Sequence, residues 1–384
     1  MKKYYTLTVS ILSPMHIASG KTISKLEYVY SSESQKIYII DKLKLFRFLS
    51  ERKQMDVFLN RLQSDNLTFS LTSFFNEKAI IENEYRELAA YSYMNENVSV
   101  EPSQMSISEF IKDAYGCPYI PGSSLKGAIR NAIAYDEIMN HIERYSRSAE
   151  NIKAKLNDNK ALSAIEKDLD ARIFYTLNRK QIKDKETGNY VADKKSILND
   201  CMAGLYISDS RPLSQESLIL CEKTDLDIEG DTHSINILRE CLRPDTNVVF
   251  DVVVDTSLCS FDADRISDSL KYFYEDYDSV FRSRFIDEEE ETVYIPQKDN
   301  SSEYIYLGGG TGFPLKTVMY ALYKDEEEAA RIISLILDKS FRSAEHKEFT
   351  AEEGISPKVL KCTRFQNKLY EMGRCSVTFK EKKV

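Results

Sequence analysis

The chain has 384 residues, of which 42% are hydrophobic and 29% are charged, and its formal net charge at pH 7 is −9. No apolar run approaches the roughly 18 residues of a membrane span, and the N-terminus lacks a signal-peptide pattern, so we expect a cytoplasmic protein without a membrane partner. The net acidity disfavours a nonspecific nucleic-acid coat but leaves room for local basic grooves.

Cysteine and histidine usage bears on metals and cofactors. The seven cysteines are scattered without CxxC spacing, and the four histidines form no ligand cluster with them. This pattern predicts reduced thiols in a cytoplasmic setting, no structural zinc and no cofactor. Acidic runs at residues 287–291 and 325–328 carry much of the negative charge, and such runs are typically solvated.

The first third of the chain predicts strands followed by helices. Alternating apolar and polar residues, or short β-branched and aromatic runs, predict strands at residues 7–11, 26–31 and 36–41. Residues 41–63 are predicted to form one helix with Asp41 as its N-cap, and residues 106–115 a short helix.

The sequence YIPGSSLKGAIRNAI, residues 119–133, is the first stretch with a functional pattern. Its apolar residues form a helical stripe at Leu125, Ala128, Ile129, Ala132 and Ile133. Lys126 and Arg130 lie off that stripe one turn apart, so both are expected to point outward. Together with the unpaired amides of the first helical turn they predict a phosphate site, in which glycine permits close approach of a ligand. The residues proposed to contact phosphate are Gly122, Ser123, Ser124, Lys126 and Arg130.

A second interpretation of this stretch is open. The same pattern fits a well-capped surface helix that carries two ordinary cations.

The middle of the chain is predicted to contain a helical insertion at about 135–200. Residues 135 to about 177 predict one or two helices, and residues 183–195 a polar, mobile loop. Strands are predicted to follow at residues 204–210 and 216–223, and residues 224–234 are interpreted as the connection between two halves.

The second half repeats the alternation of strands and helices. A β-branched strand at 246–256, helices at 262–281 and 330–341 and a closing strand at 373–381 are predicted. Two successive sets predict an α+β fold made of two split βαβ modules, with domains at residues 1–230 and 231–384.

A glycine-rich stretch, YLGGGTGF, occupies residues 306–313. No GK[ST] follows it at P-loop spacing, and a phenylalanine stands where a dinucleotide fingerprint needs its third glycine, so a nucleotide site is not expected. So many glycines predict positive φ angles or close packing, either against RNA or against a neighbouring backbone; a plain tight turn is the alternative. The candidate binding residues are Gly308, Gly309, Gly310, Thr311 and Gly312.

His16 is the one histidine near a glycine and a lysine, Gly20 and Lys21. An imidazole suits general-base cleavage of RNA, but this histidine has no evident acid partner, so a structural role or a polar contact is the competing interpretation. Near the C-terminus, a basic edge is predicted after a proline at Lys358, Lys361 and Arg364.

Taken in order, five segments resemble the RAMP superfamily of CRISPR-associated proteins, and in particular the subunit that ends the filament of type III-A (Csm) effector complexes. They are LTVSILSPMHIASGKTISKLEYVY, YIPGSSLKGAIRNAI, GLYISDSRPL, YLGGGTGF and SPKVLKCTRFQNKLYEMGRCSVTF. Residues 64–105 and 140–200 match poorly, and nothing is carried over to them.

The resemblance implies two ferredoxin-like (RRM-like) domains, the second of which carries the glycine-rich loop. It also implies an RNA-binding, non-catalytic subunit at the 3′ end of the guide RNA (crRNA) that supports guide maturation in antiviral defence. The implied partners are the guide RNA, the adjacent backbone RAMP subunit, the small subunit and host nucleases.

Beside the role that the resemblance implies, two alternatives to guide binding are open. The first is a metal-independent RAMP endoribonuclease with His16 as its base. The second is a protein-only scaffold whose glycine-rich loop and motif helix bind neighbouring subunits.

Overall fold

A computed structural model describes residues 1–64, 69–95, 98, 105–156, 158–286, 292–295, 303–323, 325–340 and 354–383. The acidic run predicted to be solvated at 287–291 lies outside the described residues, whereas the run at 325–328 leads into and opens a helix.

Sixteen strands are found among the described residues. In chain order they are β1 (Lys2–Ile11), β2 (Ala18–Ile23), β3 (Tyr28–Ser31), β4 (Lys36–Ile40), β5 (Ala89–Met94), β6 (Ser106–Phe110), β7 (Gln181–Lys183), β8 (Tyr190–Ala192), β9 (Leu205–Ile207), β10 (Leu218–Asp227), β11 (Thr232–Leu242), β12 (Asn247–Asp255), β13 (Glu303–Tyr306), β14 (Val359–Phe365), β15 (Lys368–Glu371) and β16 (Arg374–Glu381).

The same residues contain ten α-helices. They are α1 (Lys42–Glu51), α2 (Met55–Ser64), α3 (Leu71–Glu77), α4 (Glu82–Leu88), α5 (Gly122–Asn140), α6 (Ile142–Lys155), α7 (Asn159–Phe174), α8 (Ala263–Val280), α9 (Met319–Leu322) and α10 (Glu326–Ser340). None of the described helices is both long and apolar enough to cross a bilayer.

The main sheet has five antiparallel strands in the order β13-β16-β1-β12-β9. Buried residues alternate with half-buried or exposed ones along β1 and β12, so one face of the sheet packs on the core. Helices α5 and α8 contribute their apolar stripes to that core. The sequence β1–α5–β9–β12–α8–β16 with this strand order is a ferredoxin-like arrangement, and the α+β class is confirmed.

A second, six-stranded sheet has the order β15-β14-β10-β11-β6-β2. Its strands β10 and β11 form a hairpin whose turn contains Gly230 at φ +90°. The segment 224–234, predicted to connect two halves, is therefore the end of this hairpin. Both sheets take strands from either side of residue 230, because strands distant in sequence pair with each other.

Two of the smaller cores are built largely from helices. The three-stranded sheet β3-β4-β5 packs against α1–α4 around a phenylalanine-rich cluster. The end of α5 packs with α6, α7, α9 and α10 in a second, helical cluster. The helices predicted between residues 135 and 177 are thus confirmed.

Three local predictions were wrong. Residues 106–110 form strand β6 instead of a helix, because Ile107 and its neighbours pair with β2 and β11. The helix predicted at 41–63 is two helices, separated where Lys53 adopts φ +54°, although Asp41 does cap the first. Residues 183–195, predicted to be a loop, contain the turn and the second strand of the exposed hairpin β7–β8.

A buried carboxylate holds several of these elements together. Glu240 on β11 is 0% exposed and accepts hydrogen bonds from the hydroxyls of Tyr91 and Tyr93 on β5. Its carboxylate also accepts from the backbone N–H of Phe110 (2.8 Å) and from Lys112 Nζ (2.7 Å). Four donors compensate its desolvation, so the smaller three-stranded unit is tied to the six-stranded sheet.

We expect Glu240→Gln to lower the free energy of unfolding by about 3–5 kcal/mol, because it leaves the buried Lys112 ammonium with only the more distant carboxylate of Glu109, at 3.8 Å, as a charged partner. Urea denaturation monitored by circular dichroism measures the change. Lys382→Ala removes an ion pair with Asp251 at the surface and is expected to cost under about 1 kcal/mol. Equal losses in the two variants would contradict this role of Glu240.

Candidate nucleic-acid interface

The two motifs that stand out in the sequence both line one cavity of about 660 Å³. Helix α5 forms one wall, the glycine-rich loop and the residues after it form the second, and α7 forms the third. Among the lining residues are Ser124, Gly127, Asn131, Asp170, Gly308 and Thr311. The fold therefore brings together segments that are about 180 residues apart.

The first turn of α5 is occupied by the chain itself. The backbone N–H of Gly122 donates to Asp209 Oδ1 at 2.9 Å, so a carboxylate already interacts with the positive end of the helix. A Cβ at Gly122 would lie 2.4 Å from the carbonyl oxygens of Ile207 and Ser208. The glycine is needed for the close approach of the segment after β9, and a contact of Gly122 with a ligand stays a prediction.

The two serines of this turn do not cap the helix. Pro121 is the N-cap residue and no side chain caps the turn. Ser123 is exposed, while Ser124 is half-buried and lines the cavity.

The sequence predicts that the two cations of α5 point outward together, but in the structure they do not. Lys126 Nζ donates to the backbone oxygen of Leu205 at 2.6 Å, and desolvation lowers its pKa. Arg130 makes a bidentate ion pair with Asp170 on α7, at 3.0 and 2.7 Å, and a further bond to Asp200 at 2.8 Å. The charge of Arg130 is compensated by carboxylates 40 and 70 residues away.

Arg130 also stacks on an aromatic ring. Its guanidinium carbon lies 3.8 Å from the centroid of Phe174, at the end of α7. This position is typical of a cation–π contact. The side chain is therefore fixed from several directions and is 25% exposed.

The glycine-rich loop packs against the backbone of His16. A Cβ at Gly308 (φ +90°) would lie 2.1 Å from the carbonyl oxygen of His16, to which Gly309 N–H donates at 2.7 Å. A Cβ at Gly310 (φ +88°) would lie 2.3 Å from a guanidinium nitrogen of Arg239. The close packing that the glycines predict is therefore present, and the partner seen within the chain is the backbone of His16.

His16 is buried and hydrogen-bonded within the fold. The ring is 3% exposed, Nδ1 donates to the backbone oxygen of Glu240 at 2.7 Å, and Nε2 accepts from Ser108 Oγ at 3.1 Å. Desolvation, with a contribution from nearby Arg239, lowers the pKa of His16 to about 4. A buried, weakly basic imidazole with both nitrogens bonded is poorly suited to act as a general base.

The cations of the predicted basic edge near the C-terminus do not share one strand face, and their role in RNA binding stays a prediction. Lys358 precedes β14, and spacing of three residues places Lys361 and Arg364 on opposite faces of that strand. Lys361 Nζ pairs with Asp225 at 2.6 Å. Lys21, the other lysine predicted to bind RNA, is exposed on β2.

Sequence reasoning missed three cations near the glycine-rich loop. Arg239 on β11 lies against Gly310, Lys316 follows the loop, and Lys223 on β10 lies near Arg239. Desolvation, followed by the charge of Arg239, lowers the pKa of Lys316. Desolvation, Lys361 and Arg239 likewise lower the pKa of Lys223. Neither Arg239 nor Lys316 makes a side-chain hydrogen bond or ion pair with a described residue. Uncompensated positive charge is therefore concentrated here.

Linear spacing gives no signal for this cluster, because each cation stands in a segment that is not basic. Only strand pairing and the course of the loop bring the three together. Among the described residues, no group of histidine, cysteine and acidic side chains has the arrangement of a metal site.

Comparison with known proteins identifies the family. Residues 8–341 match the family model of the RAMP superfamily. The CRISPR system Cms protein Csm5 of Mycobacterium tuberculosis is 26% identical over 398 residues, which cover 98% of both chains. The protein of that name from Enterococcus italicus is 24% identical over 407 residues, covering 99% of this chain and 98% of the relative.

Two solved structures share the fold. A chain in a cryo-EM structure of a Csm–crRNA–target RNA ternary complex of a type III-A CRISPR–Cas system is 19% identical, with a TM-score of 0.64 over 98% of this chain and 100% of the other. The crystal structure of T. onnurineus Csm5 is 20% identical, with a TM-score of 0.60 over 96% and 99% of the two chains.

We expect Gly308→Ala to destabilise the protein by about 2–4 kcal/mol, because it adds both a strained φ and a steric overlap with the backbone of His16. Gly188→Ala is the matched control: its φ is +72°, but a Cβ there meets nothing within 4 Å. The control is expected to cost about 1 kcal/mol. Thermal unfolding measures both, and equal costs would show that the contact with His16 is unimportant.

The low pKa of His16 predicts that the free energy of unfolding depends on pH. Below pH 6.5 the unfolded chain protonates this histidine while the folded chain does not until about pH 4, so acid favours unfolding. The contribution of His16 to the loss is expected to reach about 3 kcal/mol across this interval. NMR titration tests it directly: His16 should titrate near pH 4, whereas Asp227 raises the pKa of His233 above its usual value. Titration of His16 near pH 6.5 would contradict the account.

Proposed function

This chain belongs to the RAMP superfamily, and we propose that it is a subunit of a type III-A CRISPR effector complex that binds guide RNA. It caps the filament at the 3′ end of the guide and supports guide maturation in cytoplasmic antiviral defence. The agreement with Csm5 relatives along nearly the whole chain supports this role, as does the fold shared with a chain of a Csm–crRNA–target RNA complex.

The observation that carries the proposal is the uncompensated charge of Arg239 and Lys316 beside the glycine-rich loop. RNA affinity comes largely from cations that replace counterions on the phosphates. Elsewhere in the site, cations such as Arg130 and Lys361 already have carboxylate partners. An acidic chain with a few free cations suits RNA binding at one defined groove rather than over its whole surface.

Assembly with protein partners is part of the proposal. The adjacent backbone RAMP subunit and the small subunit are the expected neighbours, and host nucleases are candidate partners in guide maturation. Several large apolar side chains are exposed on α1 and α2, and such groups favour protein contacts; they are Leu43, Phe46, Val57 and Leu59.

We assign no catalytic step to this chain. The burial and low pKa of His16 count against the endoribonuclease alternative, and cleavage is left to other subunits of the complex. The scaffold alternative predicts that the chain has no RNA affinity of its own, which the following measurement tests.

We expect Arg239→Ala/Lys316→Ala to weaken binding of single-stranded RNA without sequence preference. Each phosphate contact contributes about 0.7 to the slope of log K against log salt, so loss of two contacts should reduce the slope by about 1.4. Fluorescence anisotropy with a labelled guide fragment at several salt concentrations measures the slope.

The matched control is Arg47→Ala/Lys271→Ala, which removes one arginine and one lysine from exposed positions on α1 and α8. This control should keep the slope of the original chain. An identical slope in all three proteins would contradict the proposed contact, and absence of RNA binding by the original chain would favour the scaffold role.

A further inference from the structure

The cavity between α5, α7 and the glycine-rich loop is large enough for a small ligand. Its volume of about 660 Å³ lies within the usual range of ligand pockets. Small residues of α5, namely Ser124, Gly127 and Ala128, line one wall. A Cβ added at Gly127 would meet nothing within 4 Å, so the space in front of this helix is open.

A planar side chain stands in the same cavity. Arg130 lines it and is held by Asp170, Asp200 and the ring of Phe174. Unstacked RNA bases are commonly bound on guanidinium planes or aromatic rings. Because two carboxylates already compensate its charge, Arg130 is better suited to stacking than to holding a phosphate.

The wall formed by α7 is rich in acceptors. Glu166 lines the cavity and makes no ion pair with a described residue, and Asp170 lies one turn further along the helix. Although part of the Glu166 side chain is exposed, surrounding protein desolvates its carboxyl and raises its pKa. Carboxylates accept hydrogen bonds, and the exocyclic amines of cytosine and adenine donate them, whereas the 4-oxygen of uracil can only accept.

The cavity continues into the cationic cluster. Lys316, Gly308 and Gly309 line it, and Arg239 lies against Gly310 and close enough to Lys316 to lower the pKa of that lysine. A nucleotide whose phosphate contacts these cations would thus have its base beside the cavity.

We propose that this cavity binds one unstacked RNA base that carries an exocyclic amino group, with Arg130 as the stacking surface and Glu166 as the hydrogen-bond acceptor. The inference rests on the proposed function, since it identifies which part of an RNA strand enters the site. It adds a base preference to binding that the cations alone would leave independent of sequence.

The test uses the full chain with cytidine, adenosine and uridine, whose binding is measured by saturation-transfer NMR. We expect cytidine and adenosine to bind about fivefold to tenfold more tightly than uridine. Glu166→Gln should reduce this ratio towards one, because an amide can donate to uridine as well as accept.

The variant Gly127→Leu places a side chain inside the cavity and should weaken nucleoside binding without lowering the melting temperature, because leucine is the better helix former. Gly127→Ala is the matched control and should retain binding. The inference is overturned if no nucleoside binds, if uridine binds as well as the others, or if Gly127→Leu binds them like the original chain. Nucleosides carry no phosphate, so this result is independent of the salt slope that tests the proposed function.

Discussion

The backbone contact between His16 and the glycine-rich loop sets the geometry of the whole site. Gly309 N–H donates to the carbonyl oxygen of His16, while the ring of His16 donates to the backbone oxygen of Glu240. The carboxylate of Glu240 in turn binds donors from β5 and from β6 and the residues after it. The loop is therefore positioned by a continuous series of buried hydrogen bonds, and Arg239, the neighbour of Glu240 in β11, is placed against Gly310.

The distribution of compensated and uncompensated cations explains how an acidic chain can contain an RNA site. Arg130 is bound by carboxylates and packs on an aromatic ring, so its contribution is to hold α7 against α5. Arg239 and Lys316 have no such partners among the described residues, so their positive charge stays uncompensated and can attract phosphate. The position of a cation near a sequence motif is thus insufficient evidence that it binds RNA. Whether carboxylates of the chain already pair with it decides its role.

Much of the fold follows from periodicity in the sequence, because β1, β12 and α8 have strong patterns that pack on one face. The same reasoning failed at residues 106–110, where pairing with two distant strands outweighs the local pattern. The contacts of the candidate site were harder to predict from the sequence than the fold. Spacing identified α5 and the glycine-rich loop but could not reveal that Asp209 occupies the first helical turn or that Asp170 binds Arg130. Those partners, and the cluster around Arg239, exist only through tertiary contacts.

Crosslinking of the assembled ribonucleoprotein, with photoreactive guide RNA and mass spectrometry of the linked peptides, tests the account most directly. The account predicts crosslinks from the 3′ part of the guide to the glycine-rich loop, to Lys316 and to β11 near Arg239. Crosslinks confined to the exposed hairpin β7–β8 or to the first turn of α5, with none at the loop or at these cations, would contradict it.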